Sequence, residues 1–191
     1  MKKINYILAA CAVATVMFFA SCKQPTEMVD VTNVSNSKDY TVTGTITNVT
    51  KTVISGTSGS TTEITDKYEI KRGRGTLSWS ESKNTDSNYQ QYKLLLQCEA
   101  LETSTVSNGS TSVTTTADTT STTDERLVLY KIDDKFYYDY KNEFISVGEI
   151  DVNADSFILS FTTSSESVVP SGSETETKTT TDTWNLTFTA K

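Results

Sequence analysis

The sequence contains no histidine, and this absence removes a large class of chemistry. Among 191 residues there is no imidazole to act as the usual general base, to complete a serine or cysteine triad, or to hold a transition metal. No pair of carboxylates is marked by apolar neighbours that would raise one pKa, as a glycosidase requires. The sequence therefore predicts a protein that is not an enzyme and that uses no cofactor or metal.

Cysteine is nearly as scarce, since the chain has only Cys11, Cys22 and Cys98. The first two fall in an N-terminal segment that is expected to be processed, which leaves Cys98 alone and excludes an internal disulfide. Cys98 shares a predicted strand face with Leu94 and Leu96, and no adjacent residue supplies a base or a positive field. We predict a buried small hydrophobic side chain at this position.

Positive charge and proline are also limited. The 17 basic residues are outnumbered by 24 acidic ones, giving a formal net charge of −7, which argues against a nucleic-acid partner. Threonine and serine are abundant, at 35 and 23 residues, but the two prolines are too few for the Pro-rich composition of a mucin-like stalk. The 7 Phe, 9 Tyr and 2 Trp supply enough aromatic area for one folded domain.

The first 22 residues have the pattern of a secretory signal. Lys2 and Lys3 precede an apolar run over residues 7–19, and small residues follow it. Phe19-Ala20-Ser21-Cys22 resembles the lipobox of bacterial lipoproteins, although Phe19 stands where an aliphatic residue is usual. The resemblance implies cleavage before Cys22, a diacylglycerol on its sulfur and a further acyl chain, such as palmitate, on its new amino group.

The lipobox resemblance also implies a location and a partner, the membrane that the acyl chains enter. Removing residues 1–21 takes away two lysines and moves the formal net charge to −9, so membrane attachment depends on acyl chains rather than on a basic surface. Lys23 follows the lipidated cysteine, and the absence of Asp there implies an outer-membrane destination, on the periplasmic face or the cell surface. We expect a signal peptide at 1–21, a lipidated cysteine and tether at 22–39, and a single domain at 40–191.

Alternating apolar and polar residues run through most of the remaining chain, which is typical of half-buried β-strands. No segment has the period of a helix. We predict an all-β fold with antiparallel strands over residues 40–54, 61–72, 75–82, 89–105, 112–131, 135–140, 143–151, 156–169 and 175–190.

Glycine-containing turns predict how these strands pair. A turn at Gly172-Ser173 would place Phe161 opposite Trp184, with Leu159 opposite Leu186 and Phe157 opposite Phe188. A turn around residues 56–58 would pair Gly44 with Ile70 and Ile46 with Tyr68. Asn108-Gly109 predicts a type I′ turn, and because its strict register fits poorly, we expect a bulge near residues 118–123 or a longer loop. Arg72-Gly73-Arg74-Gly75 predicts a further turn.

The strands have one apolar face and one face of Thr, Ser, Lys and Glu, so the sheet must close on itself or pack on a second sheet. We predict an antiparallel meander closed into a small up-and-down barrel, with a two-sheet β-sandwich as the alternative. The outline is similar to that of lipocalins, but the Gly-x-Trp signature is absent, and no residue role is carried over. Ser/Thr-rich hairpin arms at 50–64, 103–123 and 163–182 should project beyond the core or be partly mobile.

These expectations define the function that the sequence favours. We predict a lipid-anchored envelope protein that acts as a binding module, with a small apolar ligand held inside the barrel. The alternative is a structural or adhesive surface antigen with a filled core, whose arms contact proteins or glycans. A second aromatic cluster, over residues 130–140, either lines a pocket or packs in the core. The residues expected to line the ligand site are Trp79, Leu94, Leu96, Phe157, Phe161 and Trp184.

Overall fold

The computed structural model describes residues 36–56, 59–79, 89–171 and 173–191. The predicted signal peptide, Cys22 and residues 23–35 of the predicted tether lie outside these ranges. Within them the chain forms no apolar helix of the length that a bilayer crossing needs. The strands are β1 Asn36–Ser55, β2 Ser60–Trp79, β3 Tyr89–Asn108, β4 Thr111–Thr116, β5 Ser121–Ile132, β6 Lys135–Tyr140, β7 Glu143–Gly148, β8 Ser156–Ser171 and β9 Glu174–Ala190.

Eight of these strands form one antiparallel sheet in the order β7-β6-β5-β3-β2-β1-β9-β8, and β4 pairs with β3 beside that path. The sheet curls until its two end strands, β7 and β8, contact each other. Tyr138 of β6 packs on Phe161 of β8 across this seam, with ring centroids 5.4 Å apart. The predicted up-and-down barrel is confirmed in a nearly closed form, and the sandwich alternative is wrong because there is one continuous sheet.

The first and last hairpins have the predicted registers. Phe161 pairs with Trp184, and the two pairs below follow the same register. In the first hairpin, Gly44 pairs with Ile70 and the next inward pair follows. In both hairpins the turn predicted from glycine and the apolar inner face specify the same alignment, which leaves little freedom for slippage. Residues 57, 58 and 172 of the predicted turns lie outside the described residues.

The turn predicted at Arg72-Gly73-Arg74-Gly75 is wrong, because these residues lie inside β2, which runs unbroken to Trp79. The two glycines face the barrel interior, where a Cβ on Gly75 would lie 2.6 Å from the ring of Phe188. The two arginines face outward, and Arg74 pairs with Asp39 at 3.0 Å. Glycine here makes room for an aromatic ring rather than bending the chain.

The Asn108-Gly109 hairpin differs from the prediction in detail. Asn108 is the last residue of β3 and pairs with Thr111, and Gly109 has φ +60° whereas Asn108 does not have a positive φ. The predicted strand 112–131 is interrupted at residues 117–120, so that β4 pairs with the end of β3 and β5 pairs with its earlier part. The interruption supplies the register change that the sequence required near residues 118–123.

The start of the domain also differs from the predicted boundary at residue 40. β1 begins at Asn36, which pairs with Trp79. Lys38 donates from its Nζ to the carbonyl oxygens of Val152 and Ala154, each at 3.0 Å. Residues 36–39 therefore belong to the barrel and not to the tether.

The end of the barrel that holds the start of β1 and the end of β9 contains a cluster of buried, contacting side chains, and we call it the filled half. Phe157 and Phe188 stack with centroids 4.6 Å apart, and Tyr40 meets Phe157 edge to face at 5.1 Å. Such pairs are the favoured arrangements of buried rings. Side chains buried in the filled half are Tyr40, Val42, Leu77, Leu94, Leu129, Phe136, Val147, Phe157, Leu159, Leu186 and Phe188.

At the opposite end, six strands continue past the core as polar ladders. β1, β2, β3, β4, β8 and β9 remain paired almost to their tips, as with Ile54 and Ser60. Cross-strand hydroxyl contacts join the ladders on their outer face, as between Thr105 and Thr114 at 3.0 Å. Together these extensions form a tall wall that rises above the shorter strands β5, β6 and β7.

Candidate functional site

Between the filled half and the tall wall, two neighbouring rows of side chains point into the barrel. In each row every residue is the register partner of the next one on the adjacent strand. The lower row, which we call the aromatic row, consists of Phe161, Trp184, Ile46, Tyr68 and Glu102. The row above it, which we call the polar row, consists of Thr163, Asp182, Asn48, Asp66 and Ser104.

The two rows enclose part of a cavity of about 640 Å³. Its walls come from β1, β2, β3, β5, β6, β8 and β9, so it lies across the width of the barrel. Pockets of 300–1,000 Å³ are typical of small-molecule sites. The apolar part of its lining consists of Ile46, Tyr68, Ile70, Leu96, Cys98, Ala100, Leu127, Tyr138, Tyr140, Phe161 and Trp184.

The structure divides the six predicted ligand-site residues into two groups. Leu96, Phe161 and Trp184 line the cavity. Trp79, Leu94 and Phe157 do not line it. Leu94 and Phe157 are buried in the filled half, and Trp79 packs partly buried against that core, stacked on Tyr92 at 5.8 Å.

Several cavity residues lie outside the six predicted for the ligand site. Of the aromatic cluster at 130–140, Tyr138 and Tyr140 line the cavity, whereas Phe136 is in the core. Their alternation along β6 was a usable signal, because it separates an inward face from an outward one. Glu125 and Asp182 continue the inward alternation of Leu127 and Trp184, but the sequence does not show that polar residues at these positions still lie inside the barrel.

Hydrogen bonds fix several polar groups at the cavity wall. Asn48 donates from its amide nitrogen to Asp182 at 2.6 Å, and the Tyr68 hydroxyl donates to Glu102 at 3.3 Å. Burial, followed by the nearby charge of Glu102, raises the pKa of Tyr68. The phenol therefore stays protonated and acts as a hydrogen-bond donor at neutral pH.

Cys98 lies on the cavity wall as a buried thiol. Burial raises its pKa to about 11, with a smaller contribution from the charge of Asp124. Because the thiolate is the reactive form, only about one thiol in a thousand is ionised at pH 8 with such a pKa. The expectation of an unreactive small hydrophobic residue agrees with this placement.

We expect Cys98 to resist Ellman's reagent at pH 8 in the folded protein and to react fully once the chain is unfolded in guanidinium chloride. The measurement uses the chain from Lys23 to Lys191, in which Cys98 is the single cysteine. This chain contains the whole compact unit, residues 31–191, that holds the barrel. Equal reaction rates in the folded and unfolded states would contradict the buried position.

Comparison with known proteins identifies no family for this chain. No protein-family model and no curated protein matches the chain. It is similar to the solved structure of Ail, the attachment invasion locus protein of Yersinia pestis, with 4% identity, a TM-score of 0.18, and 77% of this chain and 98% of that chain covered. It is also similar to Neisserial surface protein A, with 8% identity, a TM-score of 0.15, and 81% and 99% covered. Likenesses at these TM-scores carry no argument about fold or function.

Proposed function

We propose that this chain is a lipid-anchored bacterial envelope protein that binds a small, largely apolar ligand in its barrel cavity. The cavity between the filled half and the tall wall is the observation that carries the proposal. Its floor and sides include Leu96, Ile70, Phe161 and Trp184, and its volume is about 640 Å³. Apolar area removed from water in such a site contributes about 25 cal/mol per Å² before the costs of association.

The chemistry of the cavity supports a binding role rather than catalysis. The chain has no histidine, and burial raises the pKa values of the lining groups Cys98, Tyr68 and Tyr138. A thiol and phenols held in their neutral forms donate hydrogen bonds but are poor nucleophiles and bases.

The anchoring part of the proposal depends on the lipobox resemblance at Cys22. Acyl chains at the amino end of the tether would hold the domain at the outer membrane, and two chains suffice for stable anchoring. In this arrangement the segment from Lys23 to the start of β1 separates the barrel from the bilayer.

Substitution Cys22→Ser is expected to abolish acylation and release the protein from the membrane fraction. Metabolic labelling with radioactive palmitate, followed by fractionation, measures both effects. Cys98→Ser is the matched control, because it removes the other cysteine of the mature chain and should leave labelling intact. Label retained by Cys22→Ser would refute the anchor.

The alternative function, a structural or adhesive surface antigen, is favoured by a different observation. The tall wall carries paired, polar strands well beyond the filled half, and its β4 strand is exposed at all six residues. Such a surface suits contacts with proteins or glycans and requires no ligand in the cavity.

Fluorescence of Trp184 distinguishes the two functions. Trp184 lines the cavity and Trp79 does not, so Trp79→Phe leaves a single tryptophan at the site. Titrating this variant of the Lys23–Lys191 chain with 1-octanol should give a saturable change in emission. A linear or absent response would reject the binding function and favour the surface-antigen alternative.

A further inference from the structure

The cavity walls carry negative charge from three separate strands. Glu102 on β3, Glu125 on β5 and Asp182 on β9 all line the cavity, and each is partly buried. Glu125 pairs in register with Leu96, whose side chain is buried inside the barrel, so Glu125 faces inward as well. A ligand in the cavity therefore contacts an apolar floor and an acidic wall together.

These carboxylates have no cationic partner at the cavity. None of them forms an ion pair with any residue in the described ranges; the salt bridges there involve other acidic groups. Among the described residues that line the cavity, Arg126 is the one cationic residue. Its side chain is exposed. Because Arg126 lies between inward-facing Glu125 and Leu127 on β5, its side chain is on the outer face of the sheet. Lys178 precedes Asp182 by four residues on β9, so their Cα atoms are roughly 13 Å apart at a rise of 3.3 Å per residue.

The carboxylates retain oxygen atoms for a ligand. One oxygen of Asp182 accepts from Asn48, and one oxygen of Glu102 accepts from Tyr68. Glu125 accepts no hydrogen bond from the described residues. Since each carboxylate has about four lone-pair sites, the wall can accept several charge-assisted hydrogen bonds or ion contacts from a cation.

Aromatic rings surround the same space and favour the same charge. Trp184 stacks on Phe161 with centroids 5.5 Å apart, and Tyr68, Tyr138 and Tyr140 complete the ring-bearing wall. The faces of such rings attract cations, most strongly when water is excluded. Ring faces beside unpaired carboxylates suit an organic ammonium group better than a neutral polar group.

We infer that the ligand is an amphiphilic organic cation, an ammonium group that carries an apolar chain or ring. This inference rests on the proposed function. The apolar part packs on Leu96 and Ile70, and the ammonium group lies between Glu125, Asp182 and the rings. A bare metal ion suits the wall less well, because no group of three acidic or cysteine side chains in the described ranges is close enough to hold one. The net charge of the chain without residues 1–21, which is −9 once Lys2 and Lys3 are removed from the total of −7, would also concentrate cations near the cavity mouth.

Three probes of equal chain length test this inference. The Trp79→Phe form of the Lys23–Lys191 chain is titrated at low ionic strength with octyltrimethylammonium, 1-octanol and octanoate, with Trp184 emission as the readout. We expect the cation to bind at least about tenfold more tightly than octanoate, a difference of about 1.4 kcal/mol, with octanol between them. Added salt should narrow this difference, because partly exposed charges are screened.

The double substitution Glu125→Gln with Asp182→Asn, made in the same Trp79→Phe chain, tests the assigned wall. Both changes remove charge while keeping side-chain size, and the Asn at position 182 can still accept from Asn48. The preference for the cation over octanoate should disappear while octanol binding is unchanged. Glu166→Gln with Glu63→Gln, on the outer face of the tall wall, is the charge-matched control and should keep the preference.

The possible outcomes separate this inference from the function on which it rests. If octanol binds saturably and octanoate binds as tightly as octyltrimethylammonium, the inference is overturned and the apolar binding function stands. A preference that survives the double substitution, or one that is lost equally in the outer-face control, would also overturn it. No saturable binding of any of the three probes would overturn both.

Discussion

Substituting Ala100→Phe is expected to weaken 1-octanol binding by tenfold or more. Ala100 is 3% exposed and lines the cavity beside Ile70, its register partner on β2. A phenyl group at this position would occupy the space proposed for the ligand. Because it enters an open cavity rather than packed atoms, the free energy of unfolding should change by no more than about 1 kcal/mol, less than overpacking of a filled core costs.

The matched control is Ala154→Phe, which adds the same group in the turn between β7 and β8. Ala154 does not line the cavity, so octanol affinity should stay at the parent value. Both variants are compared by the Trp184 titration in the Trp79→Phe chain and by urea denaturation. Unchanged octanol binding in Ala100→Phe would show that the ligand does not use the cavity.

Substituting Phe188→Ala is expected to lower the free energy of unfolding by about 3–5 kcal/mol, as is typical for a buried phenylalanine. Phe188 is fully buried, stacks on Phe157 at 4.6 Å and contacts Tyr40 edge to face. Its neighbours in the filled half are held by the barrel backbone and cannot collapse fully into the space it leaves. Urea denaturation followed by far-UV circular dichroism measures the loss.

Ile158→Ala provides the comparison for Phe188→Ala. Ile158 lies on the outer face of β8 and is 60% exposed, so its truncation should change the free energy of unfolding by about 0.5 kcal/mol or less. Equal effects of the two substitutions would mean that the filled half is not packed as the structure shows.

The sequence allowed the β1–β2 and β8–β9 pairings to be predicted because two independent signals agreed there. In the last hairpin, the turn predicted at Gly172-Ser173 and the inner pairs such as Leu159 with Leu186 select one register. The turn predicted at Arg72–Gly75 was wrong because glycine occurs both in turns and, as the smallest residue, at crowded positions in a core. Only the position of Phe188, contributed by the last strand of the chain, shows which role Gly75 has.

The position of the cavity was harder to predict than the barrel. Period-two alternation separates inward from outward residues, but it does not tell how far along the barrel axis an inward residue lies. Trp79 and Trp184 share the inward pattern, yet only Trp184 reaches the cavity. The acidic wall depends on strands far apart in the chain, since Glu125 and Asp182 come together only when the sheet closes.

The most direct test of the account is a crystal structure of the Lys23–Lys191 chain grown with 8-bromo-1-octanol, read from the anomalous signal of the bromine. We predict a bromine peak at the cavity floor beside Leu96, Ile70 and Leu127, with the alcohol directed toward Asp182. A cavity without bromine in crystals that contain the compound, or peaks confined to the outer surface, would contradict it.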